Sequence, residues 1–243
     1  MDAVLLVGGA GTRLRGVIGD SLPKPMAPIG GRPFLGWLLA QIQDAGLGDV
    51  WLLTGHRSEV IEAYVGAGDA WGMRIHISRE PAPLGTGGAL RHALPSLMTE
   101  RCLVMNGDSY LAAPLTDLLG AHERSHPSIT LALARVADTG RYGEVDCAGD
   151  GSVRGFREKV VSAAPRPGLI NAGIYVMETS LIAAIPAGRP VSLEREILPG
   201  LLDGRARGVV FDAAFVDIGV PDSYAALAAD PGAVLPTDLD EPS

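Results

Sequence analysis

Residues 3–26 read AVLLVGGAGTRLRGVIGDSLPKPM, an apolar run followed at once by a glycine-rich turn and a basic loop. Residues 3–7 are continuously apolar, which is typical of a strand covered on both faces. Gly8, Gly9 and Gly11 follow. Glycines at such a turn permit positive φ and let backbone N–H groups come close to a phosphate. The stretch therefore predicts a buried strand with an anion-binding turn.

Two cations support this interpretation. Arg13 follows the glycines, and Lys24 stands between Pro23 and Pro25, which favour extended backbone before each proline. The turn lacks the Lys-Ser/Thr that ends a P-loop, and Leu14 stands where the dinucleotide motif has its third glycine. A tight turn without a ligand is the alternative, but the glycines and both cations together favour nucleotide phosphates.

Strands and helices alternate in the first half of the chain, which predicts a doubly wound α/β sheet. The predicted strands are 50–54, 73–78, 102–105 and 128–136. The predicted helices are 33–46, 58–65, 86–94 and 116–124, and Ser58, Thr86 and Thr116 are the predicted N-caps of the last three. In the second half, Asp150-Gly151 predicts a hairpin between strands 143–146 and 153–158. A strand at 169–177, a helix at 192–202, a strand at 215–216 and a helix at 223–229 follow.

Composition limits the function classes. The chain has 243 residues, 47% of them hydrophobic and 20% charged, so we expect one folded domain over residues 1–230 and a flexible tail over 231–243. A net charge of −8 argues against nucleic-acid binding. Cys102 and Cys147 have no spacing for zinc or a disulfide framework. No leader or membrane-length apolar run occurs, so cytoplasm is the expected location, without membrane partners.

A series of motifs carries a family resemblance: GGAGTRL, PKPM, PLGTGGAL, NGDSY, GRYGEV, FREK, INAGIY and FVDIGVP, in this order over residues 2–228. The series resembles the sugar-1-phosphate nucleotidyltransferases, which join a sugar 1-phosphate to a nucleoside triphosphate and release pyrophosphate. KPMAPIGGRPFL, GRYG, INAGIY and DIGVP are most similar to D-glycero-D-manno-heptose 1-phosphate guanylyltransferases. The resemblance implies a Rossmann-like, mainly parallel mixed sheet with helices on both faces and a smaller antiparallel excursion on the sugar side.

The implied catalytic residues are Arg13 for the β- and γ-phosphates and Lys24 for the α-phosphate, where charge builds. Asp108 and Asp217 both follow apolar strands, where ligands bind in open α/β sheets, and the resemblance makes them ligands of one Mg²⁺. We expect the nucleotide to contact Val7, Gly8, Gly9, Gly11, Thr12, Glu80, Gly85, Thr86 and Gly87.

The resemblance also indicates the sugar wall. Lys159 matches a lysine that holds the sugar phosphate, Glu158 matches a carboxylate for sugar hydroxyls, and Gly143, Asn171 and Gly173 match the rest of this wall. Glu80 is expected to select the base of the nucleotide. A carboxylate has only acceptor oxygens, which suit the N1–H and N2–H₂ donors of guanine, whereas an amide side chain suits thymine or uracil. The GTGG segment resembles uridylyltransferases of cell-wall recycling, so UTP stays an alternative to GTP.

Other interpretations stay open at this point. The sugar could be mannose 1-phosphate with GTP, or another hexose 1-phosphate with UTP or dTTP. A nucleotide-sugar sensor without catalytic activity should have lost a residue that binds phosphate or metal. All five such residues are present here: Arg13, Lys24, Asp108, Lys159 and Asp217. No hexapeptide repeat supports an acetyltransferase domain, and the histidines show no ligand pairing. The apolar segment 192–202 could be core or the interface of a homo-oligomer.

Overall fold

The structure is a computed structural model that describes residues 1–9, 11–157 and 165–236. Strands and helices alternate along the described chain. The strands are β1 (Asp2–Leu6), β2 (Pro28–Ile29), β3 (Arg32–Pro33), β4 (Asp49–Thr54), β5 (Arg74–Arg79), β6 (Arg101–Asn106), β7 (Ser109–Leu111), β8 (Ile129–Val136), β9 (Glu144–Cys147), β10 (Val153–Arg157), β11 (Gly168–Glu178), β12 (Ala206–Phe211) and β13 (Phe215–Asp217). The helices are α1 (Arg15–Ile18), α2 (Phe34–Asp44), α3 (Ser58–Val65), α4 (Gly85–Ala93), α5 (Leu115–Ser125), α6 (Thr179–Ala183) and α7 (Pro221–Ala229).

The central feature is a mixed sheet of nine strands in the described part of the chain. Its middle runs β6-β1-β4-β5, with every neighbouring pair parallel. Strand β11 pairs antiparallel with β6 and with β8, and β12 pairs parallel with β8. The hairpin of β9 and β10 extends the same sheet antiparallel. The sheet confirms the predicted fold class, including the antiparallel excursion of the second half.

Both faces of the sheet are covered by helices. Along β1, Ala3 and Leu5 point into one hydrophobic cluster and Val4 points into another, and all three are fully buried. The first cluster receives the apolar faces of α2, α3, α5 and α7, and the second receives those of α4 and α6. This two-sided burial explains why β1 is apolar throughout most of its length.

A separate two-stranded sheet brings distant residues together. Strands β7 and β13 pair antiparallel, with Asp217 opposite Ser109. The N–H of Ile218 also donates to the carbonyl oxygen of Asp108 at 2.9 Å. The chain near residue 217 is therefore fixed beside the end of β6, at the carboxyl edge of the main sheet.

The helix predicted at 192–202 differs in the structure. Leu193–Ile197 forms a π-helical turn and Leu198–Leu201 forms a 3₁₀ turn. Pro199 has no N–H to donate within a regular helix. The side chains of Ser192 and Glu194 also bond each other at 2.9 Å, which engages polar groups at the start of the segment. The segment has the apolar periodicity of a helix, but these local features interrupt the regular backbone hydrogen bonds of an α-helix.

Among the described residues, no side chain caps the N-terminus of α3, α4 or α5, although the sequence predicts Ser58, Thr86 and Thr116 as caps. Each helix begins at the predicted residue or one residue earlier. Each predicted cap residue therefore lies in the first turn of its helix instead of at the position before it. In Thr86 the hydroxyl instead bonds a different segment of the chain.

Packing continues beyond the predicted boundary at residue 230. Pro231–Ala233 forms a 3₁₀ turn, and Leu235 is 3% exposed within the first hydrophobic cluster. The first part of the predicted tail is thus attached to the domain, while residues 237–243 lie outside the described residues. No helix in the described ranges is long and apolar enough to cross a membrane.

Candidate active site

A cavity of about 630 Å³ lies at the carboxyl ends of β1 and β6, where ligands bind in open α/β sheets. We call it the first cavity. Most of the predicted nucleotide residues line it: Val7, Gly8, Gly9, Gly11, Glu80, Gly85 and Thr86. Thr12 and Gly87 do not line it. Lys24 and Asp108 lie at its border, so the glycine turn and both of these charged groups face one space.

The glycines of the turn have different reasons to be glycine. A Cβ at Gly8 would lie 2.5 Å from Oε1 of Glu80, and Gly11 has a φ of +59° with the Lys24 Cβ 3.0 Å from its own Cβ position. Gly9 has nothing within 4 Å of that position and lies beside open space. Gly8 and Gly11 therefore permit close packing, and Gly9 leaves room for a ligand.

Glu80 lies immediately after β5 and its carboxylate turns back toward α4. Its Oε2 accepts the N–H of Leu84 at 2.8 Å. Burial raises the pKa of the Glu80 carboxyl above its ordinary value, although the bond from Leu84 and the charge of His92 act in the opposite direction. The side chain is thus a partly desolvated acceptor at the wall of the first cavity.

The glycine-rich start of α4 packs against the segment that precedes the π-helical turn. The N–H groups of Gly87 and Gly88 donate to the carbonyl of Val191 at 2.9 and 3.2 Å. Thr86 Oγ1 donates to Glu194 Oε2 at 2.7 Å and accepts the N–H of Leu193 at 2.8 Å. The N–H of Gly87 is therefore occupied by protein, which explains why this glycine lies outside the first cavity.

Lys24 and Asp108 form an ion pair at the border of the first cavity, through Nζ and Oδ2. Their side chains are 13% and 28% exposed, so the pair is largely sheltered from water. Lys24 begins the 3₁₀ turn Lys24–Met26, so the extended backbone predicted for it is wrong and lies one residue earlier, at Pro23, while Pro25 is buried. The stiff Pro-Lys-Pro segment therefore holds the ammonium group against the end of β6.

Asp217 lies close to this pair. Its Oδ1 accepts the N–H of Gly219 at 2.5 Å. A Cβ at Gly219 would lie 2.6 Å from the same Oδ1 and 3.3 Å from Nζ of Lys24, so the carboxylate and the ammonium group are only a few ångström apart. The structure thus brings together Lys24, Asp108 and Asp217, three residues that are far apart in the sequence.

A second cavity of about 410 Å³ adjoins the first. It is lined by the predicted residues Arg13, Asp108, Gly143, Asn171 and Asp217, and also by Asn106, Tyr142, Tyr175, Glu194 and Arg195. Arg13 is exposed and faces this second cavity, whereas the sequence assigns it to the leaving phosphates of the nucleotide. Glu158 and Lys159 lie outside the described residues.

Asn171 and Gly173 form an irregularity in β11 beside the second cavity. The pairing of β11 with β8 shifts register between Asn171 and Tyr175. Asn171 Nδ2 donates to the Tyr175 hydroxyl at 2.7 Å, and its Oδ1 accepts the N–H of Gly173 at 3.0 Å. Gly173 has a φ of +75° and does not line the cavity itself. It lies behind the wall and lets the strand bend there.

Residues 2–231 match one protein family, which is described as nucleotidyl transferase. The chain belongs to this family. The assignment agrees with the geometry, because the glycine turn, Lys24 and two carboxylates surround the junction of two cavities. The chain is therefore a nucleotidyltransferase.

Several relatives of this nucleotidyltransferase are similar over most of its length. It is 41% identical over 95% of its chain to a mannose-1-phosphate guanylyltransferase of Mycobacterium tuberculosis, and spans 64% of that protein. It is 36% identical over 92% of its chain to the D-glycero-alpha-D-manno-heptose 1-phosphate guanylyltransferase of Aneurinibacillus thermoaerophilus, and spans 95% of it. The crystal structure of HddC from Yersinia pseudotuberculosis, complexed with GMP-PN, superimposes with a TM-score of 0.82 at 32% identity, covering 95% of this chain and 99% of HddC.

The carboxylates of the nucleotidyltransferase suit a hard cation. In its described residues no group of three or more His, Cys, Asp or Glu side chains forms a metal cluster. Mg²⁺, however, is commonly held by only one or two carboxylates together with substrate phosphates. Asp108 and Asp217 supply two such carboxylates at the junction of the cavities, so this donor set fits a divalent ion that arrives with a nucleotide.

Sequence reasoning missed several residues of the site. Asn106 immediately precedes Gly107-Asp108 in the quoted NGDSY motif, and Glu194 lies in the segment predicted as an ordinary helix. Asn106 ends an apolar run, which is the signal that could have found it, whereas Glu194 stands beside Arg195 and Glu196 and carries no such signal. His122, one of the histidines without ligand pairing in the sequence, lies on α5, is fully buried and bonds Thr130 and Glu178 at 2.8 and 3.0 Å.

Proposed function

We propose that this nucleotidyltransferase transfers the guanylyl group of GTP to a sugar 1-phosphate of the manno series and releases pyrophosphate. D-glycero-D-manno-heptose 1-phosphate is our first candidate, and mannose 1-phosphate is the alternative, since relatives of both names are similar to this chain. The observation that carries the proposal is the Lys24–Asp108 pair, with Asp217 beside it, where the two cavities meet.

The reaction needs charge neutralisation and alignment more than proton transfer. A phosphate monoester has its second pKa near about 6, so at neutral pH the attacking oxygen is already an anion. Its attack on the α-phosphorus forms a new P–O bond, and the bond to the β-phosphate oxygen breaks as pyrophosphate leaves. Two polyanions must therefore be held in line against their mutual repulsion.

The residues of this chain supply that neutralisation. We assign Lys24 to the α-phosphate, because its ammonium group faces the first cavity at the junction. Arg13, whose planar group can bind phosphate oxygens in pairs, is assigned to the β- and γ-phosphates. Gly9 leaves open space in the turn, and the backbone N–H groups of the turn are assigned to the same phosphates.

Asp108 and Asp217 are the residues that we propose to hold Mg²⁺. When bound, the ion would neutralise charge on the α-phosphate. Each carboxylate already has a neighbouring donor or cation in the protein, Lys24 for Asp108 and the Gly219 N–H for Asp217. Those contacts orient the carboxylates toward the junction of the cavities.

Glu80 is proposed to select guanine. Its carboxylate has only acceptor oxygens, which match the adjacent N1–H and N2–H₂ donors of guanine. One oxygen is engaged by Leu84, and this bond fixes the side chain. The remaining nucleotide contacts assigned to Val7, Gly8, Gly11, Thr12, Gly85, Thr86 and Gly87 stay predictions, as do the sugar contacts assigned to Gly143, Glu158, Lys159, Asn171 and Gly173.

The test is a pyrophosphate-release assay with Mg²⁺, in which GTP, UTP, dTTP, ATP and CTP are crossed with heptose, mannose and glucose 1-phosphates. We expect turnover with GTP and a manno sugar. Selective turnover with UTP or dTTP would overturn the assignment of Glu80, and turnover restricted to glucose 1-phosphate would overturn the manno assignment. No release with any pair, despite nucleotide binding, would favour a silent sensor.

The metal assignment is tested with Asp108→Asn and Asp217→Asn. We expect each to lower turnover by about 100-fold or more, because a charge aimed at the transition state is lost. Asp212→Asn is the matched control, since Asp212 is 81% exposed and bonds only surface Arg135 among the contacts described. Unchanged turnover in both site variants would refute the assignment.

A further inference from the structure

Asn106 occupies a special place between the two cavities. It is the last residue of β6, and it pairs in register with Leu6 at the end of β1. Within the described chain, only Asn106 and Asp108 line both cavities. Any group of a substrate that reaches the junction from either side therefore comes close to the Asn106 amide.

The Asn106 amide lacks a protein partner for its oxygen. Oδ1 is buried and has no hydrogen-bond partner within the described structure. A buried amide oxygen without a donor is unfavourable, and most such groups in folded proteins are paired. The terminal torsion of asparagine is broad, so the amide can turn to offer its oxygen or its N–H₂ group to a ligand.

The neighbouring backbone makes room for this side chain. A Cβ at Gly173 would lie 2.6 Å from Nδ2 of Asn106, so only glycine fits behind the amide. By contrast, the amide of Asn171 is already engaged by Tyr175 and by the N–H of Gly173. The fold therefore fixes one asparagine of the second cavity within the protein and leaves the oxygen of the other for a bound group.

The identity of that group follows from where the new bond forms. This step rests on the proposed function, in which the sugar phosphate and the α-phosphate meet beside Lys24 and Asp108. In a sugar 1-phosphate, the hydroxyl nearest to the phosphate is the one on C2. Manno and gluco sugars differ in configuration at this same carbon. We infer that Asn106 hydrogen-bonds the 2-hydroxyl of the sugar 1-phosphate and thereby selects the manno configuration.

The ribose of the nucleotide is a poorer partner for Asn106. Glu80, assigned to the base, follows β5, and β5 lies on the opposite side of β1 from β6 in the sheet. The base and the ribose next to it are therefore expected toward the β4 and β5 side of the first cavity. Asn106 lies on the β6 side, which faces the sugar.

The experiment combines a side-chain deletion with a hydroxyl deletion. Wild type and Asn106→Leu are assayed for kcat/KM with mannose 1-phosphate, its 2-deoxy analogue and glucose 1-phosphate, at fixed GTP. For mannose 1-phosphate we expect a loss of about 10- to 100-fold in the variant, the range for leaving one buried polar group unpaired. With the 2-deoxy analogue, wild type and variant should differ by less than about twofold, because the contact no longer exists.

Two controls separate this role from a structural one. Gln43→Leu makes the same amide-to-leucine change at an exposed position of α2 and should leave all three substrates unaffected. The Kd for a non-hydrolysable GTP analogue, by calorimetry, should be the same in wild type and Asn106→Leu. Equal losses with the mannose and 2-deoxy substrates would overturn the inference. The inference would also be overturned if Asn106→Leu bound the GTP analogue more weakly than wild type but bound its 3′-deoxy form equally well. This result would assign Asn106 to the ribose.

Failure of the proposed function is distinguishable from failure of the inference. If wild type releases no pyrophosphate with any sugar, the proposed function fails. Calorimetry of mannose 1-phosphate and its 2-deoxy analogue, in the presence of the GTP analogue, still compares wild type with Asn106→Leu. Tighter binding only when both the Asn106 amide and the 2-hydroxyl are present supports the inference, and equal binding throughout overturns it.

Discussion

At the scale of single residues, Gly8 and Glu80 depend on each other. The Glu80 carboxylate occupies the place where a side chain at residue 8 would start, and a Cβ there would be 2.5 Å from Oε1. The Glu80 carboxylate, which we propose to select the base, therefore restricts residue 8 to glycine. This dependence makes Glu80 a position where one change of functional group should alter substrate choice.

Glu80→Gln should change the preferred base. Glutamine offers a donor and an acceptor, which match uracil and thymine better than guanine. We expect kcat/KM for GTP to fall by about tenfold or more, and the ratio of UTP to GTP turnover to rise. The pyrophosphate assay measures both, with exposed Glu59→Gln on α3 as the matched control. An unchanged ratio would show that Glu80 does not contact the base.

The same carboxyl should also influence stability in a pH-dependent way. Burial raises the pKa of Glu80 above 4.5, so the folded protein holds this proton more tightly than the unfolded chain does. The free energy of unfolding contributed by Glu80 therefore falls as pH rises from about 4.5 through the raised pKa. Urea unfolding at several pH values should show Glu80→Gln gaining stability over wild type across this window. A parallel pH profile in the two proteins would contradict it.

Among site residues, those inside a recognisable motif could be predicted from sequence, and those with ordinary neighbours could not. Lys24 stands out because two prolines stiffen its backbone, and Asp108 because it ends an apolar run. The glycines at 85–88 also stand out, but Gly87 and Gly88 serve contacts with Val191. A glycine signals close approach of something, and only coordinates distinguish a protein carbonyl from a phosphate.

At the scale of elements, the bend in β11 lies beside the second cavity and contributes to its wall. Gly173 allows the strand to shift register against β8 while Asn106 fills the space beside it. A straight strand would place a side chain where this amide lies. The bend thus couples the path of β11 to the end of β6.

Gly173→Ala should therefore destabilise the protein and disturb the site. A positive φ is unfavourable for alanine, and the new Cβ would meet the Asn106 amide, so we expect a loss of about 1–3 kcal/mol in the free energy of unfolding. Gly149→Ala in the turn between β9 and β10 is the control, because its Cβ would have nothing within 4 Å. Denaturant unfolding compares them, and equal stability of the two variants would contradict the role of the bend.

Elements with a clear apolar pattern or turn signal were predictable, including the short strand at 215–216, whereas β7 and β12 were not. Asp150-Gly151 indicated the hairpin of β9 and β10, because this dipeptide accepts the turn geometry. Strands β7 and β12 carried no comparable signal, and their pairing with β13 and β8 depends on residues far away in the chain. Intrinsic preference over a few residues is weak, and tertiary pairing decides such segments.

At the scale of the whole molecule, the end of the described chain belongs to the core. Leu235 is 3% exposed in the cluster that also holds α2 and α7, so the domain includes residues beyond the predicted boundary. That the chain forms a single domain, and that it assembles into a homo-oligomer, remain predictions from the sequence. The position of Leu235 gives a direct test of how much its segment contributes.

Leu235→Ala should cost about 2–5 kcal/mol of the free energy of unfolding, the range for a leucine removed from a packed core. Leu202→Ala is the matched control, because Leu202 is 39% exposed and exposed positions usually change stability by less than about 0.5 kcal/mol. Denaturant unfolding of both variants decides the point. Equal, small losses would show that the segment is loosely attached.

The central position of β1 has a consequence for how the chain is synthesised. This strand leaves the ribosome before both of its neighbours, β4 and β6, and β6 ends only at Asn106. At roughly 5–20 residues per second, the nascent chain would carry an apolar strand with an unpaired edge for on the order of ten seconds. Protection of that nascent edge, for example by a chaperone, should therefore raise the yield of folded protein.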